Sequence, residues 1–248
     1  MPTIWYNGIV TRIDNQTVNT KRFWIEVPEL ERFDFRAGQF ITMDLPIHEK
    51  RLQRWRSYSI ASAPDGTNVL ELCIVRLDGG AATRYLFEEI KVGDTITFKG
   101  PGGAFVLPEQ LENDLVLVCT GTGVAPFRSM LHDIRNRQLA HRNIHLIFGT
   151  RTAEGILYGD EFSRLQQEMP GFRYSVALSR VAEPDASAFP FEVGSGYVHR
   201  FYLDQYQAIR PDIRFYLCGW ANMVDEAVLN LTEKMGYAPT QIVTELYG

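Results

Sequence analysis

From residue 5 to about residue 105 the chain alternates apolar and polar positions in short runs broken by turns. YNGIVTRIDNQTVNTKRFWIEV, FITMDL, SYSIAS, VLELCIVRL and TITFKG all carry the period of two that marks half-buried strands. One helix-like stretch, residues 83–90, interrupts them. Many short strands with a single helix predict a small antiparallel barrel. After Pro108 the rhythm changes. DLVLVCTGTG is a continuous apolar run ending in glycines, and APFRSMLHDIRNRQL has helical period. NIHLIFGTR, RYSVALSR and RFYLCGW then read as strands, separated by the helical GDEFSRLQQEM and FYLDQYQAI and followed by NMVDEAVLNLTEKMG. Strict alternation of strand and helix predicts a parallel sheet wrapped by helices. The expected fold is therefore two-domain, β plus α/β. A six-stranded antiparallel Greek-key β-barrel covers residues 1–108, and a five-stranded parallel sheet flanked by helices covers residues 109–248. VAEPDASAFPFEVGSG reads as a loop.

Composition narrows the function. The chain has 248 residues, 45% hydrophobic and 22% charged, enough to bury a core in each of two domains. Its formal charge of −5 argues against nucleic-acid binding and leaves room only for local basic pockets. The three cysteines, Cys73, Cys119 and Cys218, show no C-x-x-C spacing, which speaks against a disulfide framework and an iron–sulfur cluster. The five histidines make no metal-binding pattern, so no metal is expected. No apolar run reaches the length of a membrane span, and a cytoplasmic location is expected.

Several stretches carry chemistry. In RSYSIASA, strand alternation puts Arg56, Tyr58 and Ile60 on one face and Ser57, Ser59 and Ala61 on the other. An Arg–Tyr face is not a core; it suits a partner both flat and charged. In CTGTGVAP, Gly121 and Gly123 close a turn before a helix, either as a plain strand–turn–helix connection or as a phosphate cradle. RLDGGAATRYL is a second such turn, with Gly80, Ala82 and Thr83 at the start of a helix. Arg151, Ser179 and Arg180 follow strands and together make a local anion site, for which a ribose 2′-phosphate is the obvious ligand. Tyr197 either stacks on an adenine or is an ordinary structural tyrosine.

The ordered set RSYSIAS, GGAATRYL, GPGGAF, CTGTGVAPFRSML, LSR, CGWANM and TELYG resembles the ferredoxin–NADP⁺ reductase family from about residue 38 to the C-terminus. The resemblance implies a barrel binding FAD and an α/β domain binding NADP(H). It implies that Arg56 pairs with the flavin pyrophosphate, Tyr58 stacks on the isoalloxazine, and Ser57 and Ser59 line the same cofactor, with Ser59 near N5. Ile74 and Val75 would give backbone contacts to the flavin. Gly80, Ala82 and Thr83 would hold its pyrophosphate, with Thr83 where the family usually has Ser. Thr120, Gly121, Thr122 and Gly123 would form the nicotinamide-nucleotide turn, with Cys218, Gly219 and Met223 completing C-G-x-x-x-M beside the nicotinamide. Ser179 and Arg180 match the pair that favours NADPH over NADH. Val181 stands where the family has an acidic residue, and the basic residues before Tyr197 are missing. Tyr247 would cover the flavin, although Gly248 follows it, and Glu245 would supply a carboxylate near the active site.

The implied reaction is hydride transfer between nicotinamide and flavin, with Ser59, Cys218, Glu245 and Tyr247 as the catalytic set, followed by single-electron exchange with a separate ferredoxin or flavodoxin. Lys50, Arg51, Arg54 and Arg84 are candidates for steering such an acidic carrier. The chain is expected to act as a monomer. Two alternatives stay open: the NAD(P)H-dependent reductase component of an oxygenase system, and a non-catalytic flavin-binding regulatory subunit.

Overall fold

The computed structural model describes residues 4–247 and divides into two compact units. The first, residues 1–107 with 125–137, is built on a six-stranded sheet of β1 (Trp5–Thr17), β2 (Thr20–Glu26), β3 (Phe40–Asp44), β4 (Trp55–Ser59), β5 (Val69–Val75) and β6 (Thr95–Gly102). The order is β4-β3-β6-β1-β2-β5, and every neighbouring pair is antiparallel. A bridge between Ile60 and Leu72 ties the chain leaving β4 to β5 at the other end of that order. Alternation in β2 sends Phe23 and Ile25 inward, where they meet Ile41, Met43, Leu72 and Phe98. A single helix, α1 (Ala81–Glu88), follows β5.

One expectation needs correcting. Arg56 and Tyr58 lie opposite Met43 and Ile41, both fully buried, so their face is the core side of the pleat. Tyr58 packs against the barrel core, and Arg56 stays exposed. The reason is topological: β4 ends the hydrogen-bonded order, so its inward face is only partly covered.

The second unit, residues 108–124 with 138–248, holds β7 (Asp114–Thr120), β8 (Ile144–Thr150), β9 (Phe172–Leu178), β10 (Glu192–Ser195), β11 (Ile213–Trp220) and β12 (Ile242–Tyr247). They form one parallel sheet in the order β10-β9-β8-β7-β11-β12. The sheet thus has six strands, not five. The additional one, β10, lies in the stretch read as a loop; it is four residues long, pairs only with β9, and shows no alternation to betray it. α3 (Gly159–Glu168), α4 (His199–Gln205) and α5 (Ala221–Leu229) belong to this unit.

Helix α2 (Val124–Asn136) leaves the end of β7 yet packs with the barrel from Ala125 onward. Arg128 Nη1 donates to Glu71 Oε2 at 3.0 Å and to the Ala61 carbonyl at 2.8 Å, and the Ser129 hydroxyl donates to the Ser62 carbonyl at 2.6 Å. Glu71, 3% exposed, is gripped from the other side by Arg22 Nε at 2.6 Å and Nη2 at 2.9 Å.

At the amino ends of the parallel strands lies a closed polar chain. Ser175 Oγ donates to Glu192 Oε2 at 2.6 Å and accepts from His145 Nε2 at 2.8 Å, while His145 Nδ1 accepts from the Tyr206 phenol at 2.8 Å. Burial, reinforced by the nearby Arg173 charge, pushes the His145 pKa down to about 3.

Two predictions follow from these buried groups. His145 is neutral in the fold but protonates near 6.5 when unfolded, so unfolding takes up a proton between those values and stability is lost as the pH drops through that window. Denaturant titrations should show His145→Gln removing roughly 2–3 kcal/mol of the loss seen between pH 7 and pH 4.5; parallel curves for both proteins would refute it. Glu71→Gln leaves two half-buried guanidiniums facing a neutral amide, and urea titration should report a loss of roughly 3–5 kcal/mol. A loss below about 1 kcal/mol would mean the pairing is incidental.

Candidate functional site

In the first unit the candidate residues surround β4, the end of β5 and the start of α1. Arg56 Nη1 donates to the carbonyls of Gln53 at 3.0 Å and Trp55 at 2.8 Å, which folds the guanidinium over the preceding turn while leaving it exposed. Ser57 faces Thr42 on β3, and their hydroxyls share a 3.0 Å hydrogen bond. Ser59 is buried. Burial pushes the Tyr58 phenol up to about 12, with Arg56 pulling it back, so at neutral pH it offers an uncharged ring. Ile74 is buried and Val75 half-buried, both paired with β2. β5 is the last strand on its side of the order, so past the Ile60–Leu72 bridge one row of its backbone groups faces no strand.

The turn after β5 is shaped by Gly79, at φ +73° with open space where a Cβ would be. Gly80 precedes the first residue of α1 and supplies no side-chain cap, so the first-turn N–H groups have no intrahelical acceptor. Ala82 is buried there. The Thr83 hydroxyl accepts from the Leu77 N–H at 3.1 Å and donates to the Gly80 carbonyl at 3.2 Å. It pins the turn that it was expected to line. Nearby, Arg54 Nε meets Asp44 Oδ1 at 2.7 Å and Arg51 lies over the rings of Trp5 and Trp55, whereas Lys50 and Arg84 are exposed.

In the second unit the strand order reverses between β7 and β11, and ligands of open α/β sheets bind outside the carboxyl ends at such a switch. The expected residues lie there. Thr120 ends β7, and Gly121–Gly123, with Thr122 between them, form a tight turn. A Cβ on Gly123 would stand 2.4 Å from the Cys218 carbonyl oxygen, so only glycine permits this approach of the two strand ends. Gly219 has φ +145°, and a Cβ there would be 2.6 Å from Thr120 Oγ1 and 3.2 Å from Met223 Cε. The buried Thr120 Oγ1 has no hydrogen-bond partner among the described residues.

Cys218 is fully buried between Cys119 on β7 and Glu245 on β12 in register. Burial, then the Glu245 and Cys119 charges, push its thiol well up, against a hydrogen bond from Tyr247, so it stays protonated. At the next tips, the Ser179 N–H donates to the Thr150 carbonyl at 3.0 Å and the Arg180 N–H to the Arg151 carbonyl at 2.9 Å. This holds two exposed arginines on adjacent strand ends. The Gly196 N–H donates to the Leu178 carbonyl at 3.0 Å, which brings Tyr197, 71% exposed, to the same edge.

A bound FAD and a nicotinamide dinucleotide fit what these residues present: an uncapped helix start behind a glycine turn in one unit, and an unpaired buried hydroxyl between two glycines in the other. The sequence reading passes over three features. Arg128 and Glu71 carry no local signal, because they meet only in the fold. Trp220 does carry one, a tryptophan directly after the Cys218–Gly219 pair. Among the described residues no helix is long and apolar enough to cross a membrane.

Comparison with known proteins agrees with both halves. Residues 8–107 match the oxidoreductase FAD-binding domain family, and residues 117–228 match the oxidoreductase NAD-binding domain family. Ferredoxin--NADP reductase B of Sorangium cellulosum is 35% identical over 198 residues, 77% of each chain. The toluate 1,2-dioxygenase electron transfer component of Pseudomonas putida is 31% identical over 98% of this chain and 68% of its own. Other curated relatives are longer, and the chain spans 56% to 66% of their length. Among solved structures, a ferredoxin NADP⁺ reductase from Neisseria gonorrhoeae with bound FAD and NADP superposes with a TM-score of 0.78 at 27% identity, covering 98% of both chains. With both domain families matched in order, a 35% identical relative and a shared two-unit fold, the chain belongs to the ferredoxin–NADP⁺ reductase family of FAD- and NAD(P)-binding flavoprotein oxidoreductases.

Proposed function

We propose that this chain is an NADPH-oxidising flavoprotein reductase that exchanges single electrons with a separate small carrier, a ferredoxin or flavodoxin. The observation that carries the reading is the glycine-lined close approach at the ends of β7 and β11, where Gly123 and Gly219 admit no side chain and the buried Thr120 Oγ1 lacks a partner among the described residues. Bound FAD and NADPH supply hydride exchange between nicotinamide C4 and flavin N5, and the flavin can release electrons one at a time.

The chain's own residues bind and orient. Arg56, already held by two carbonyls, is preorganised for the flavin pyrophosphate. Tyr58 gives the isoalloxazine a neutral aromatic face, and Ile74 and Val75 give it backbone contacts. The N–H groups at the start of α1 take pyrophosphate oxygens in a turn that Thr83 holds closed. Ser59 would donate a hydrogen bond near N5. In the second unit Arg151, Ser179 and Arg180 would take the 2′-phosphate, and Tyr197 would stack on the adenine. Cys218, as a neutral thiol, would border the nicotinamide and is no nucleophile. Glu245 and Tyr247, on the strand beside it, complete the catalytic set.

A second reading, the reductase of an oxygenase system, is favoured by the resemblance to the toluate 1,2-dioxygenase component. Nucleotide preference and acceptor separate the two. In anaerobic stopped-flow the flavin of the purified protein should be reduced by NADPH with at least about tenfold higher kcat/KM than by NADH, a difference of about 1.4 kcal/mol from the charge pairing at Arg180. Cytochrome c reduction should then rise on adding ferredoxin. An NADH preference and no response to ferredoxin would support the oxygenase reading instead.

Ser59→Ala should slow single-turnover flavin reduction by about 10- to 100-fold, the loss of one hydrogen bond to developing charge, with NADP⁺ affinity within about twofold. An unchanged reduction rate would remove Ser59 from the catalytic set.

A further inference from the structure

Trp220 ends β11 and is 47% exposed. It also occupies the cap position of α5, with extended backbone (φ −62°, ψ 140°) and no side-chain capping bond. A Ser, Thr, Asp or Asn there would satisfy an orphan N–H of the first turn. The chain forgoes that bond and leaves a large apolar ring half in water. Two local rules broken at one position mark a functional constraint.

The surroundings indicate what the ring meets. Strand alternation puts Trp220 on the same face of the sheet as Cys218, and parallel register sets Tyr247 and Glu245 beside them on β12. The residue between, Gly219, brings its backbone against the unpaired Thr120 hydroxyl. By the same alternation Gly219 and the Thr120 hydroxyl belong to the opposite face, so on the Cys218 face it is Trp220 that offers a flat apolar surface, beside Glu245 and Tyr247. A planar heteroaromatic ring fits such a surface.

We propose that Trp220 is the stacking wall for the nicotinamide ring, an affinity-determining contact shared by NADPH and NADH. The proposal rests on the nucleotide reading above and adds a residue to it. Because the contact is made at the nicotinamide end, its loss acts equally on both nucleotides. Loss of Arg180 acts on the 2′-phosphate alone.

The test is calorimetric titration of the FAD-loaded protein with NADP⁺ and with 2′-phospho-ADP-ribose, which lacks only the nicotinamide. Trp220→Ala should bind NADP⁺ about five- to tenfold more weakly and 2′-phospho-ADP-ribose within about twofold of the parent, with Trp220→Phe restoring NADP⁺ affinity. In steady state KM for NADPH and NADH should rise by the same factor, with kcat nearly unchanged. Unchanged NADP⁺ affinity in Trp220→Ala, or equal weakening of both ligands, overturns the role of Trp220 and leaves the nucleotide reading intact. Arg180→Ala, by contrast, should weaken both ligands. A parent protein that binds neither ligand overturns the nucleotide reading and this proposal with it.

Discussion

Glu71 is the constraint on which the first unit turns. A carboxylate taken out of water costs several kcal/mol unless it is paired and hydrogen-bonded. Here the pairs come from two elements far apart in sequence, Arg22 on β2 and Arg128 on α2. Satisfying one buried charge thereby decides where α2 lies on the barrel. The same helix donates to the carbonyls of Ala61 and Ser62, the residues that follow Ser59. Within the first unit, α2 is thus hydrogen-bonded to the segment leaving the Arg56–Ser59 strand.

The parallel sheet treats polar groups oppositely at its two ends. At the amino ends, Tyr206, His145, Ser175 and Glu192 form a continuous chain of hydrogen bonds. Such a network is rigid and expects nothing further. At the carboxyl ends the Thr120 hydroxyl is buried without a partner, two glycines keep the strand tips close, and Trp220 stands in place of a helix cap. An unsatisfied buried hydroxyl costs about 1–3 kcal/mol. A ligand that hydrogen-bonds there recovers it, which makes incompleteness at this end an affinity device.

Much of this was legible because it is local. The change of rhythm after Pro108, the alternation of strand and helix, and the glycine turns all follow from neighbours within a few residues. β10 was not legible, since Glu192–Ser195 is short, partly covered and flanked by a prolyl-phenylalanyl stretch on one side and glycine on the other. The face of Arg56 and Tyr58 is not legible either, because side-chain period says which residues share a face, not which face the barrel covers. Thr83 shows a further limit. Its position at a helix start is visible in sequence, but whether the hydroxyl turns outward or back to Leu77 depends on how the turn closes. The Glu71–Arg128 pair is longer-range still, joining residues 57 apart.

The same distinction bears on the charged surfaces. With a net charge of −5, a cation cluster is informative only where its members are not spent internally. Arg54 is committed to Asp44 and Arg51 to the faces of Trp5 and Trp55, so among the four candidates for carrier steering Lys50 and Arg84 are the exposed ones left to meet a partner. Arg151 and Arg180 are different: a backbone hydrogen bond between their strand tips sets two exposed arginines on adjacent strand ends. Two cations on neighbouring tips of a chain with a net charge of −5 make a local positive potential, which would favour a phosphate-bearing nucleotide over one without that phosphate. Where cations stand in the fold therefore says more than how many there are.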